Sequence, residues 1–417
     1  MDKKIKIGVV GVHRGKTMIE YCKHDKRVKL AAICDCWQEA LEKTKEELND
    51  DSIAYYTDFE DLLKSDVDGI VLANYANEHA PFAIKCLQHG KHVLSEVLPV
   101  QNLAEAVKLV EAKEKSDKIY AYAENYCYMP APREMRRLFQ KGELGKFEYG
   151  EGEYLHNCES IWPIITYGNP DHWRNNMSAF FYCTHSIGPL IHITNLKPVK
   201  VTGFEMPYNE RMARMGAKAG WGGLIIITLE NGAVIKSIHG VGPSRSSVWY
   251  SVYGSKGEME SGREGVEGSG CAYKINTDLD RYEGENVNHR MSYYPVDELS
   301  EKAQAAGHGG SDFYTMWNFV SAIAGDKKAE IIDVYEALDM FLPGIFAYHS
   351  VLNGGIPMDI PDFRDPAARK KYKNDIACTD QKVAGEQLQP SYSKGNPEVP
   401  KRVYEKTKKE YLETLEK

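Results

Sequence analysis

The sequence predicts an α/β protein, with a doubly wound parallel sheet at the N-terminus and then an α+β domain carrying an open, largely antiparallel sheet. Two observations predict it. Up to about residue 126, short β-branched runs alternate with charged amphipathic stretches, the βαβ rhythm of a parallel sheet covered by helices. Beyond residue 146 the segments lengthen and apolar residues recur at every second position, which marks strands with one buried face. In the first part, strands are expected at 5–10, 28–34, 54–56, 69–73, 92–95 and 119–123, with helices at 38–48, 59–64, 80–89 and 103–116. In the second, strands are expected at 147–156, 199–204, 224–229, 234–239 and 248–253. Helical periodicity returns at 311–323 and 334–352, and the stretch from Pro361 is polar, Lys-rich and poorly periodic. The expected division is therefore 1–126, 127–360 and a tail, 361–417, that wraps a domain or a neighbouring subunit.

Composition narrows the function classes. A chain of 417 residues with 42% hydrophobic content can bury a core in each of two domains, at roughly 100–200 residues per domain. The formal net charge of −8 draws nothing towards nucleic acid or anionic lipid. No run approaches the roughly 18 apolar residues that span a bilayer. Met1-Asp2-Lys3-Lys4 leads into a β-like run without a cleavage site, so a cytoplasmic location is expected. Nine scattered cysteines without a C-x-x-C pair argue for reduced thiols rather than a disulfide framework or structural zinc.

The first strand runs into Gly8-Val9-Val10-Gly11-Val12-His13-Arg14-Gly15-Lys16. Glycines there let the backbone turn tightly and present amide N–H groups to a pyrophosphate at a helix N-terminus. His13 replaces the second glycine of G-x-G-x-x-G and the third is displaced to Gly15, so the same residues also read as an ordinary strand-to-helix turn. Strand two ends at Asp35, 24 residues after Gly11, near the spacing of the carboxylate that accepts ribose hydroxyls, at about 20 residues. Such a carboxylate repels a 2′-phosphate and favours NAD over NADP. Asp35 also reads as a cap of the following helix. At the fourth strand's end, Asn74-Tyr75-Ala76-Asn77-Glu78-His79 sets two amides, a phenol and an imidazole at the carboxyl edge of the sheet, where open α/β sheets bind ligands.

With Gly90-Lys91-His92-Val93-Leu94-Ser95-Glu96 after these, and Glu124-Asn125-Tyr126 later, the chain resembles the Gfo/Idh/MocA oxidoreductase family over roughly residues 4 to 363. The resemblance implies a Rossmann domain and NAD, with Gly11, His13, Arg14, Gly15, Asp35, Asn74, Asn77, His79, Glu96, Asn125, Trp173 and Arg174 as cofactor-binding residues. Most members carry a catalytic lysine in Glu-Lys-Pro after strand five, whereas this chain has Glu96-Val97-Leu98-Pro99. Valine cannot carry a proton. Within the family the chain is similar to the NAD-dependent α-N-acetylgalactosaminidases, through Ser95-Glu96-Val97, Glu124-Asn125-Tyr126-Cys127-Tyr128, Tyr154-Leu155-His156, Trp173-Arg174, Tyr182 to Pro189, Gly307 to Asp312 and Ile360 to Phe363.

That branch implies glycoside cleavage by redox chemistry. A hydride leaves sugar C3, the resulting ketone acidifies C2–H, a base removes that proton and the group at C1 is expelled; water adds, and the hydride returns. No ordinary glycosidase carboxylate pair is needed. The motif match assigns acid/base catalysis to Tyr182 and His185, three apart and thus on one face if helical. An imidazole exchanges protons near neutral pH. Glu124, Tyr128, Tyr154, His156 and His308 are the expected substrate-binding residues. Each has a plain structural reading too: core aromatics, a buried histidine on a carbonyl, a solvated Glu124, a helix-capping His308. The three histidines lack metal-ligand spacing, so no metal is expected. Two other functions fit the same sequence: a simple NAD-dependent sugar or glycoside 3-dehydrogenase, and a non-catalytic sugar or nucleotide sensor. The expected partners are a small-molecule carbohydrate or glycoside and further copies of the chain, as a homo-dimer or tetramer.

Overall fold

The computed structural model describes residues 3–263, 273–279, 287–304 and 306–415. They form two compact units. The first comprises Met1–Pro130, Val296–Leu338 and Phe363–Asn374; the second comprises Ala131–Pro295, Asp339–Asp362 and Asp375–Lys417.

In the first unit, strands β1 (Ile5–Val10), β2 (Val28–Cys34), β3 (Ala54–Tyr56), β4 (Gly69–Leu72), β5 (His92–Ser95) and β6 (Tyr120–Tyr122) pair in the order β3-β2-β1-β4-β5-β6. Every pairing is parallel. Helices α1 (Lys16–His24), α2 (Gln38–Leu48), α3 (Phe59–Leu63), α4 (His79–Gln88) and α5 (Leu103–Glu114) connect them. Both faces of the sheet are covered, so β4 is buried throughout and Ile7, Val9 and Ile33 are fully inaccessible. Asp58 and Asn102 start α3 and α5 by accepting the Glu60 and Glu105 N–H groups. The helix Ser311–Ile323, distant in sequence, inserts Met316, Phe319 and Val320 into the core around Ile7, Val9 and Met18. The order reverses between β1 and β4, and their carboxyl ends open the crevice where such sheets bind ligands.

The second unit is built on β7 (Phe147–Leu155), β8 (Pro198–Glu205), β9 (Gly222–Leu229), β10 (Val234–Gly240), β11 (Ser247–Gly254), β12 (Gly257–Ser261), β13 (Tyr273–Leu279), β14 (Val287–Tyr293) and β15 (Met358–Asp359). Their order is β14-β13-β12-β11-β7-β10-β9-β8-β15. β10 runs parallel to β7, and the other pairings are antiparallel. The helix Thr184–Thr194 is buried along its whole length and packs on β7, β10 and β11. Gly152 permits that approach, since a Cβ there would stand 1.8 Å from the Ser186 carbonyl oxygen. The stretch from Pro361 is more regular than its composition suggested. It contains a 15-residue helix, Lys401–Leu415, which buries Thr407 and partly covers Val403, Tyr404 and Tyr411 on the same face, a short stripe set among lysines and glutamates.

Candidate active site

In the first unit β1 leads through the glycine loop into α1. Gly11 has φ of 91°, and a Cβ there would lie 2.4 Å from the Ala73 carbonyl oxygen, so only glycine lets β1 turn beside β4. Gly15 is the N-cap of α1, with no side chain capping the helix; the Gly15 and Lys16 N–H groups turn back to the Gly11 and His13 carbonyls at 3.1 and 3.4 Å. Asp35 serves its own loops first: Oδ2 accepts the Val12 N–H at 2.8 Å and Oδ1 the Trp37 N–H at 2.9 Å. Each oxygen keeps a lone pair for a hydroxyl. The Oδ1 atoms of Asn74 and Asn77 are buried without a hydrogen-bond partner. His13 is exposed and stacks on Trp37 at 5.3 Å, whereas His79 is buried with Nδ1 on the Leu98 carbonyl at 2.9 Å and Nε2 on that of Asn74 at 3.3 Å.

Arg14 forms a buried ionic knot. Its guanidinium meets Asp312 in a bidentate pair at 2.8 and 2.9 Å and reaches Glu96 at 2.5 Å. Asp312 also takes the Thr17 hydroxyl at 3.0 Å, the Asn125 amide at 3.1 Å and His308 Nδ1 at 3.2 Å. Burial opposes the Asp312 charge, but His308 and Arg14 together hold its carboxyl well below the usual range. Burial pushes Glu96 up, with Arg14 pulling only part of the way back. Glu124 is fully buried and accepts the Tyr126 N–H, and Tyr128 gives its hydroxyl to the Glu330 carbonyl at 2.6 Å.

The second unit gathers the aromatic and imidazole groups. Tyr182 stands just before the Thr184–Thr194 helix rather than inside it, yet its ring lies 5.4 Å from His185. Tyr154, on β7, packs edge-on against His185 at 4.6 Å and hydrogen-bonds His156 Nδ1 at 3.0 Å. The Tyr250 hydroxyl bonds the His185 carbonyl and fixes the helix start. Arg174 lies 4.5 Å over Trp173 and 5.6 Å over Tyr182. Tyr154, Tyr182, Arg174 and His239 line one narrow recess with room for about a single water, part of it open to solvent. His239 is the residue sequence reasoning missed. Ile235, Ser237 and His239 form the inward row of β10, so a histidine at an apolar slot was the available signal. Its register partner across the sheet is Tyr154, and burial pushes its imidazole down to about 4.

Residues 5–124 match the oxidoreductase family with an NAD-binding Rossmann fold, Gfo/Idh/MocA, and residues 201–370 match the C-terminal domain of glycosyl hydrolase 109. The chain thus joins a domain of the Gfo/Idh/MocA oxidoreductase type to a C-terminal domain of the glycosyl hydrolase 109 type. Among its relatives, glycosyl hydrolase family 109 protein 1 of Phocaeicola vulgatus is 28% identical over 86% of this chain and 84% of its own. The family 109 protein of Solibacter usitatus is 26% identical over 86% and 88%. Solved structures share the fold: myo-inositol 2-dehydrogenase from Lactobacillus plantarum has a TM-score of 0.66 at 18% identity, covering 86% of this chain and 100% of that one. An Agrobacterium radiobacter oxidoreductase, solved with NAD+, L-tartaric acid and magnesium, scores 0.68 at 14%, covering 86% and 98%.

The chain is thus an enzyme with an NAD-binding Rossmann domain of the oxidoreductase type. The residues present fit the dinucleotide: the Gly11 cradle, the uncapped start of α1, Asp35 with its remaining lone pairs, and the unsatisfied oxygens of Asn74 and Asn77. Arg14 enters the same loop with its charge already spent on two carboxylates. Among the described residues, no helix is long and apolar enough to cross a membrane and no group of three or more His, Cys, Asp or Glu is arranged to hold a metal.

Proposed function

We propose that the enzyme cleaves a glycoside in a redox-neutral cycle that begins with oxidation of the sugar at C3. The observation that carries this reading is the Tyr154–His185–Tyr182 cluster, in a chain whose fifth strand leads to Val97 where the resemblance expects lysine. The proton work therefore falls to the second unit. When bound, NAD supplies a two-electron acceptor for the carbinol hydride and its later return. Tyr182, in its phenolate form, takes the C3 hydroxyl proton, with the edge of the His185 ring as its neighbour. His185, held by the Tyr250 hydroxyl through its backbone carbonyl and by Tyr154 through its ring, takes the C2 proton in this reading. Tyr154 and His156, already hydrogen-bonded to one another, hold ring hydroxyls. The electron pair left by the C2 proton expels the C1 group, so no carboxylate pair attacks the anomeric carbon.

The test follows phenol release from an aryl glycoside together with NADH absorbance. Release without net NADH is expected. NADH growing in proportion to substrate would instead mark a plain 3-dehydrogenase, and turnover unchanged in His185→Ala would remove the assigned base.

A further inference from the structure

The segment Asp375–Lys417 is part of the second unit and lies outside both stretches that carry the family matches. It docks on the wall around Tyr182. That wall is a small satellite core in which Trp162, Met177, Met212 and Ala219 are buried together, with Trp173 and Tyr182 packed against them. Its helices, Trp162–Ile165 and Glu210–Met215, are too short to hold themselves, so their order has to come from packing. The helix Lys401–Leu415 packs on both. A Cβ at Gly168 would stand 2.4 Å from the Lys408 Cα, and one at Gly216 would stand 2.6 Å from the ring of Tyr404, whose hydroxyl bonds the Gly216 carbonyl at 2.9 Å. Upstream, the turn 391–395 reaches the wall at two points. The buried Ser391 hydroxyl donates to the Asn176 carbonyl at 2.5 Å, in the arm that runs from Arg174 to Tyr182. Glu205, at the end of β8, accepts the Ser393 N–H at 2.9 Å on one carboxylate oxygen and the Gly220 N–H at 3.3 Å on the other.

Resting on the reading that Tyr182 moves the sugar proton, we infer that Ser391 and Glu205 are positioning residues for that step: they clasp the C-terminal segment onto the wall, and the arm that carries Tyr182 keeps its place only while this strap is docked. Both act through other residues. Ser391 acts through Asn176, six residues before Tyr182. Glu205 acts through Gly220 and the adjoining Lys218, whose N–H bonds the Asn175 carbonyl at 3.0 Å and whose ammonium bonds the Asn176 amide oxygen at 2.9 Å. The two routes converge on Asn175 and Asn176, so releasing either end of the clasp loosens the same arm.

Amide hydrogen exchange of the full-length enzyme without ligand tests the clasp. In Ser391→Ala and in Glu205→Gln, exchange should quicken by about fivefold to tenfold, the worth of a typical hydrogen bond, both in 391–415 and in 173–182, while β1–β6 exchange as in the wild type. Ser391→Thr keeps the hydroxyl and should restore both segments. Faster exchange confined to 391–415, with 173–182 unchanged, overturns the inference. Kinetics on a p-nitrophenyl hexoside test the role in the proton step. In either clasp variant kcat should fall by about tenfold to a hundredfold with KM and NAD affinity little changed, since a displacement of about 1 Å from a remote change costs up to that much. A lower unfolding midpoint with kcat intact would make the strap a brace and nothing more, which also overturns the inference. If the wild type turns over no glycoside at all, the redox-cleavage reading fails, and coupled exchange of 173–182 with 391–415 still supports the clasp.

Discussion

At the residue scale, Tyr182 and His185 were singled out by motif resemblance, and the structure sets their rings 5.4 Å apart even though Tyr182 precedes the helix. Tyr182→Phe removes one hydroxyl and keeps the ring packing against His185. Its kcat/KM on an aryl glycoside should fall by about 10²–10⁴-fold, the worth of a general acid/base group, with the unfolding midpoint little changed. His239 was not legible, because its meaning depends on which neighbour crosses the sheet, and periodicity shows only that the position faces inward. Its titration has a stability consequence. The imidazoles of His239 and His172 are held down at about 4 and about 3 by burial. Between the ordinary histidine value near 6.5 and those values the unfolded chain binds more protons than the folded one, so stability is full above the window and declines as pH falls through it. Each group contributes a slope of about 1.4 kcal/mol per pH unit. Denaturant unfolding from pH 7 to pH 4.5 should show this slope, and His239→Gln should flatten it; an unchanged slope in that variant would refute the assignment.

At the scale of elements, the parallel sheet was readable to within a residue or two, since strands buried on both faces are unbroken apolar runs set between charged amphipathic helices. What local pattern cannot give is the return of Ser311–Ile323 to the first core, because that packing spans some three hundred residues. The same return supplies Asp312 to Arg14, so the knot around the glycine loop was visible only as separate motifs. Arg14→Met would leave Glu96 and Asp312 buried without their cation. A loss of about 3–5 kcal/mol is expected from chemical denaturation, as for other broken buried pairs. Acidification should relieve part of it as a carboxyl takes a proton. In the loop itself, Gly11→Ala forces a Cβ onto the Ala73 carbonyl at a φ of 91°, so NAD affinity measured by titration should drop sharply. Undiminished affinity would mean that the dinucleotide does not use this turn.

For the whole molecule, the two units divide the chemistry: one presents a glycine cradle and unsatisfied amide oxygens for a dinucleotide, and the other a cluster of phenols and imidazoles beside an arginine-lined recess. Val97, with no proton to give, is the position at which the sequence departs from a simple dehydrogenase. The claim that oxidation serves bond cleavage is tested most directly by cleaving an aryl glycoside in deuterated water and locating the label in the released sugar. The account predicts deuterium at C2 without net accumulation of NADH. Release of the phenol with C2–H fully retained would contradict it.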